Sequence, residues 1–333
     1  MKVLLNFPEP LVCYTPPNDL VMSVILAKAT CEHPLLLENY IDICYQQNDW
    51  VEFRGMNEIT SYPGLHFCRL PRDIIDSREI FENAICRLID AGYYLIFQIC
   101  INYVHCYRFE KEKQFHEITV FGYDNDARQF FVRDYFSFGK ETKEVCSFDE
   151  LYDAYSSMPY SDWIGGVVGV KTAEEFESRK VPDRQLIITR LKNAIMSASI
   201  PQRHYSFYVG FSFFEFVKDS IINSAKGNEP FHMRHFNFIY AHVFLMRNRI
   251  LYFYNSGAQD YDLLHTKITV EQVHSKVLMM RRKVALANEH IWRQNRRFTH
   301  YEEVLDLYTE CIEQYFTTMQ SFLAFLEGAS DKL

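Results

Sequence analysis

The chain has 333 residues, of which 48% are hydrophobic and 16% aromatic, with 28 Phe and 22 Tyr. That composition excludes a disordered chain and can fill the cores of two units, the organisation this length favours. A net charge of −8 excludes the global basic field that gathers nucleic acid.

The opening MKVLLNFPEPL holds one Lys and an apolar run too short for a signal segment, and no later stretch has the length of a membrane span, so a cytoplasmic protein without a membrane partner is expected. Nine cysteines without a CxxC pair fit neither a disulfide framework nor a zinc ribbon. Reduced thiols are expected, and neither metal nor cofactor.

Asn18 or Asp19 can cap a first helix, LVMSVILAKA, after Pro16 and Pro17. Residues 77–92, SREIFENAICRLIDAG, read as a second helix with Ser77 as cap and Gly92 as stop. The run YYLIFQICINYV that follows is aromatic and β-branched, as a buried strand is.

Residues 116–136, HEITVFGYDNDARQFFVRDYF, alternate apolar and polar on both sides of the turn signal Tyr123-Asp124-Asn125-Asp126, the pattern of a β-hairpin. Centring the turn near Asn125 sets Val120 against Phe130, Ile118 against Val132 and His116 against Asp134. Opposed residues share a face, so an imidazole is expected beside a carboxylate. A one-residue slip would separate them.

Ser147 and Glu150 form a capping box for a short helix, and DWIGGVVGVK supplies a last strand before residue 175. From Pro182 to Gly328, five stretches carry helical spacing, with capping boxes at Thr269/Gln272 and Thr299/Glu302. The expected fold is α+β: a first domain over 1–175 with an antiparallel sheet, then an almost wholly helical domain over 182–328. The aromatic run HYSFYVGFSFFEFV is read as a core helix that could line an acyl pocket.

A thiol is a strong nucleophile as a thiolate, which a helix N-terminus and an imidazole favour, while a carboxylate behind the imidazole fixes its orientation. Cys13, His116 and Asp134 supply those parts in the chain order of papain-like enzymes. The bland alternative is a strand-end histidine and a small buried cysteine.

From Asn6-Phe7-Pro8 onward, and above all in FHEITVFGYDNDARQFFVRDYFSFGK followed by SFDELYDAY, the chain resembles the butirosin biosynthesis protein H-like family. Members often accompany nonribosomal peptide and polyketide assembly lines. The resemblance implies a papain-like, cysteine-peptidase-like first domain and a helical second one. It also implies an acyltransferase that moves an acyl or aminoacyl group from a carrier-protein phosphopantetheine thioester to an amine of a small-molecule or peptide acceptor. His116 and Asp134 take the family's His and Asp roles, and Cys13 the nucleophile's. A noncatalytic binding scaffold of the same pathway, and a thiol peptidase or amidase, remain the alternatives. Arg281, Arg282, Lys283, Arg293, Arg296 and Arg297 could receive an acidic carrier protein, or simply form a solvated helix face.

Overall fold

In a computed structural model, described for all residues except 14, 47–49, 54–61, 63, 108–113, 138–139, 160–163, 202–205, 228, 258–260, 295–300 and 329–333, the chain opens with β1 (Lys2–Leu4), α1 (Pro16–Leu26), α2 (Pro34–Glu38), β2 (Ile43–Tyr45) and β3 (Val51–Phe53). Next come β4 (Leu65–Pro71), α3 (Arg78–Asp90), β5 (Tyr94–Cys100), β6 (Phe115–Asp124), β7 (Gln129–Ser137), β8 (Lys140–Ser147), α4 (Phe148–Ser156) and β9 (Gly166–Thr172). The remainder is α5 (Arg184–Ile195), β10 (Ala198–Pro201), β11 (Ser206–Val209), α6 (Ser212–Gly227), α7 (Met233–Asn255), α8 (Tyr261–Gln294) and α9 (Tyr301–Gly328). The fold is α+β, an antiparallel sheet followed by a mainly helical C-terminal region.

Two units divide the chain: Met1–Thr30 with Glu58–Arg179, and Cys31–Asn57 with Lys180–Leu333. They are not the linear halves 1–175 and 182–328, because residues 31–57 belong with the second.

In the first unit the strands run β4-β9-β5-β6-β7-β8 as one antiparallel sheet, with β1 pairing alongside β6. Alternation gives the sheet two faces. On one, Leu95, Phe97, Ile118, Val120, Val132 and Phe130 form a core with Phe81, Ile85 and Ile89 of α3 and Leu151 and Tyr155 of α4. The other is covered by α1 and the segment before it. There the buried guanidinium of Arg133 on β7 donates to Ser23 Oγ, the Pro8 carbonyl and Glu9, and the Tyr135 hydroxyl donates to Asp19.

Helix α1 starts at Pro16, with Thr15 at its N-cap and both prolines in the first turn. This corrects the expected start at Asn18 or Asp19. Proline has no N–H to lose there and its φ suits the first helical position. Both capping-box bonds of Ser147 and Glu150 are present at α4.

In the second unit a small antiparallel sheet runs β10-β11-β2-β3, so the region after Pro182 is not purely helical. Residues 206–209, expected within a helix, form a strand instead. Four residues are too few for alternation to stand out, and Gly210 then breaks the chain's direction with φ +82. A Cβ there would lie 1.8 Å from the Met196 carbonyl, so only glycine fits. Helix α8 also starts eight residues before the expected cap at Thr269, whose hydroxyl bonds back to the His265 carbonyl inside the helix. Thr299 lies outside the described residues.

Residues 36–41 are held by α7. The fully buried Arg249 donates to the carbonyls of Leu36, Leu37, Asn39 and Tyr40, acceptors that the end of a helix leaves unpaired. His242 bonds the Ile41 carbonyl through Nε2 at 2.7 Å and the Tyr315 hydroxyl through Nδ1 at 2.5 Å. Burial, with the Arg249 charge adding to it, pushes this imidazole down to about 4. It is therefore neutral, donating from Nε2 and accepting at Nδ1.

Glu52 on β3 is 8% exposed, and no described residue bonds its Oε1. Burial lifts its carboxyl from 4.5 to about 8 against the pull of Arg234. A raised acid contributes stability that is complete below its unfolded pKa and is lost as pH rises through the folded one; the depressed His242 contributes stability lost as pH falls from 6.5 towards 4. The two slopes oppose each other between about pH 4.5 and 6.5; above 6.5 the Glu52 slope continues, and His116, whose ring is raised to about 9, adds one of the same sign. We expect Glu52 to contribute roughly 2 kcal/mol of the fall in stability between pH 6.5 and 8.5, so that the fall in Glu52→Gln is smaller by about that amount. Denaturant titrations of both proteins at the two pH values check this.

Candidate active site

The hairpin of β6 and β7 closes through a four-residue loop, in which the Arg128 amide bonds the Asn125 carbonyl and Asp124 Oδ1 accepts from the Asp126 and Ala127 amides. From the loop the ladder pairs Asp124 with Gln129, Tyr123 with Phe130 and Gly122 with Phe131, then shifts to pair Val120 with Val132 and Thr119 with Arg133. Phe121 is the extra residue of a β-bulge.

This corrects the expected register by two positions, since Val120 faces Val132 rather than Phe130. The loop sits later in the chain than the Tyr123–Asp126 signal, and the bulge adds a residue on β6. An even shift leaves faces unchanged. Continuing the ladder, Asp134 lies beside Ile118 and His116 is its diagonal neighbour, a separation that a ring and a carboxylate can span.

They do meet. His116 Nδ1 donates to Asp134 Oδ2 at 2.7 Å, with the Glu117 carbonyl 3.1 Å from the same nitrogen. The Tyr107 hydroxyl donates to the same Asp134 oxygen, and Tyr107 packs edge-on against Phe136 with ring centroids 4.8 Å apart. Asp134 is fully buried while the His116 side chain keeps 38% of its surface, so the carboxylate is fixed and the imidazole is presented.

Burial works against charging His116, but the Asp134 hydrogen bond and charge, aided by Glu117, outweigh it and raise the ring from 6.5 to about 9. At neutral pH it is an imidazolium, suited to pairing with a thiolate or giving a proton to a leaving group. Burial, then the Asp134 charge, raises the Tyr107 phenol well above 10, which keeps it a hydrogen-bond donor.

Cys13 is exposed and lies two residues before Thr15, the N-cap of α1. That helix covers the face of Arg133 and Tyr135, residues that alternate along β7 with Asp134 and point the other way. The structure thus brings His116 and Asp134 together, and among the described residues His116 hydrogen-bonds Asp134 and Glu117. Sequence reading missed Tyr107, whose neighbours carry no spacing signal, and β8, whose charged residues follow the hairpin as an edge strand.

No protein-family model matches the chain, and no curated protein matches it. Function rests on the site itself.

The basic cluster is partly occupied: Arg281 donates to Asn237 at 2.7 Å and lies over the Tyr240 ring, and Lys283 pairs with Glu303. The side chain of Arg293, and Arg296 and Arg297, fall outside the described residues. Among the described residues there is no group of His, Cys, Asp and Glu that could hold a metal, and no helix long and apolar enough to cross a membrane.

Asp134→Asn should remove the charge that raises His116, dropping its titration from about 9 to 6.5 or below. Following the ring proton signals by NMR against pH measures this directly; a titration still near 9 in the variant would assign the shift to another group.

Proposed function

We propose that the chain is a thiol-dependent acyltransferase of secondary-metabolite biosynthesis with a papain-like first unit. The observation that carries this reading is the buried Asp134 holding a presented His116 imidazolium, 2.7 Å away. Cys13 attacks a carrier-protein phosphopantetheine thioester as its thiolate. His116 pairs with that thiolate and protonates the departing carrier thiol, and Asp134 keeps the ring in place. The acyl or aminoacyl group then passes to an amine of a small-molecule or peptide acceptor. The resemblance of the hairpin and the Ser147 helix to the butirosin biosynthesis protein H-like family supports the carrier thioester as donor. With water or an external amide in the acceptor and donor places, the same three residues would give a peptidase or amidase.

One observation favours a second reading, a noncatalytic scaffold with the same shape. The helix that Cys13 precedes, α1, packs on the sheet face opposite Asp134 and not on the face that presents His116.

Mixing the protein with an acyl-loaded carrier and reading intact mass separates the two. The enzyme reading expects one acyl adduct on Cys13, its loss in Cys13→Ala with an unchanged circular dichroism spectrum, and about 10²-fold slower formation or worse in His116→Ala. No adduct, together with iodoacetamide labelling of Cys13 no faster than that of exposed Cys31, would leave the scaffold.

A further inference from the structure

A second thiol has a base and a carboxylate of its own. Cys106 Sγ lies 3.6 Å from His105 Nε2, and His105 Nδ1 lies 2.8 Å from Glu150 Oε1. Glu150 is held from behind: its other oxygen accepts from the Ser147 amide and hydroxyl at the start of α4. Burial disfavours the Glu150 charge, but the Ser147 amide and His105 outweigh burial and hold it below its usual value. With Nδ1–H donated to that carboxylate, the His105 tautomer leaves a lone pair on Nε2, aimed at the sulfur.

We infer that Cys106, with His105 as base and Glu150 as orienter, is a covalent modification site for small, uncharged carbon electrophiles. The geometry is the nucleophile, base and orienter arrangement in a compact form, using neighbours in sequence and one helix cap. The size limit follows from exposure, since Cys106 is 7% exposed while the His105 side chain is 62% exposed. The charge limit follows from Glu150 beside the ring, which repels anionic reagents. With a thioester, the Cys106 thiol turns its proton from the Val145 carbonyl, 3.2 Å away, to His105 Nε2, 3.6 Å away, and gives it up there while the sulfur bonds the carbonyl carbon. The carbon bond to the leaving thiol then breaks, and that thiol takes the proton from His105. With an alkyl iodide, the sulfur displaces iodide and the proton leaves through His105 to water. Neither step needs an oxidant, and neither involves Cys13 or His116.

The test labels the full chain, in a Cys13→Ala background so that its outcome says nothing of Cys13, with iodoacetamide and with iodoacetate. Peptide mass spectrometry reads the rate at each cysteine. The expected result is that Cys106 reacts with iodoacetamide at least about tenfold faster than buried Cys146 or Cys100, and faster than with iodoacetate. Access alone could favour Cys106 over its neighbours, so the deciding variant is His105→Gln, on an exposed position, which should slow Cys106 about tenfold or more. Glu150→Gln can still close the helix cap and should slow it by a smaller factor. Equal Cys106 rates in wild type and His105→Gln, or Cys106 labelling no faster than Cys146, would overturn the inference.

Discussion

The chemistry of the first unit depends on one surplus residue. Without a bulge at Phe121, the ladder that starts from Tyr123 and Phe130 would continue in step, and Glu117 rather than His116 would share a face with Asp134. The bulge is secured from two sides. Phe121 turns to the α1 face and stacks on Phe7 at 5.1 Å, and its carbonyl accepts from the Leu5 amide. The next residue is Gly122, where a Cβ would meet the Val3 carbonyl at 2.7 Å, so β1 can pair there only against glycine. The N-terminal strand thus sets the register that faces a histidine toward its carboxylate.

Elsewhere in this protein buried polar groups answer to local chemistry in different ways. His116 gains a proton because its partner is a fixed anion, while His242, between a carbonyl and a phenol and near Arg249, stays neutral. Arg133 and Arg249 show the complementary solution: Arg249 gives its donors to four backbone carbonyls, and Arg133 to the Pro8 carbonyl, Ser23 Oγ and Glu9. A planar cation with several donors can gather acceptors from separate segments at one point. Arg133 thereby fastens Pro8 and Glu9 in one unit, and Arg249 the end of α2 with the two residues after it in the other.

Much of this was legible in the sequence where a residue acts through local pattern. Ser77, and Ser147 with Glu150, cap the helices their types announce. The pairing of His116 with Asp134 was legible as well, though through a register two positions out, since an even error leaves parity intact. The bulge itself was not, because nothing in VFGYD distinguishes a bulged strand until β1 is placed against Gly122. The small sheet was hidden for a related reason. Its strands are three or four residues long and come from segments about 150 residues apart, and helical spacing in the flanking runs dominates any local reading. Tyr107 became part of the site only through a fold that returns it to Asp134.

The grouping of residues 31–57 with the C-terminal unit bears on how the chain is made. Ile41 waits for a partner 201 residues further on, and the carbonyls of Leu36 and Leu37 for one more than 200 residues on. During synthesis that stretch, with Leu35, Leu36, Leu37, Tyr40 and Ile41 all buried in the finished protein, leaves the ribosome well before α7 exists. A chain stopped near residue 180 would carry an apolar segment with nothing to cover it, so the first half is a hazardous fragment to express unless residues 31–57 are replaced by a short polar linker.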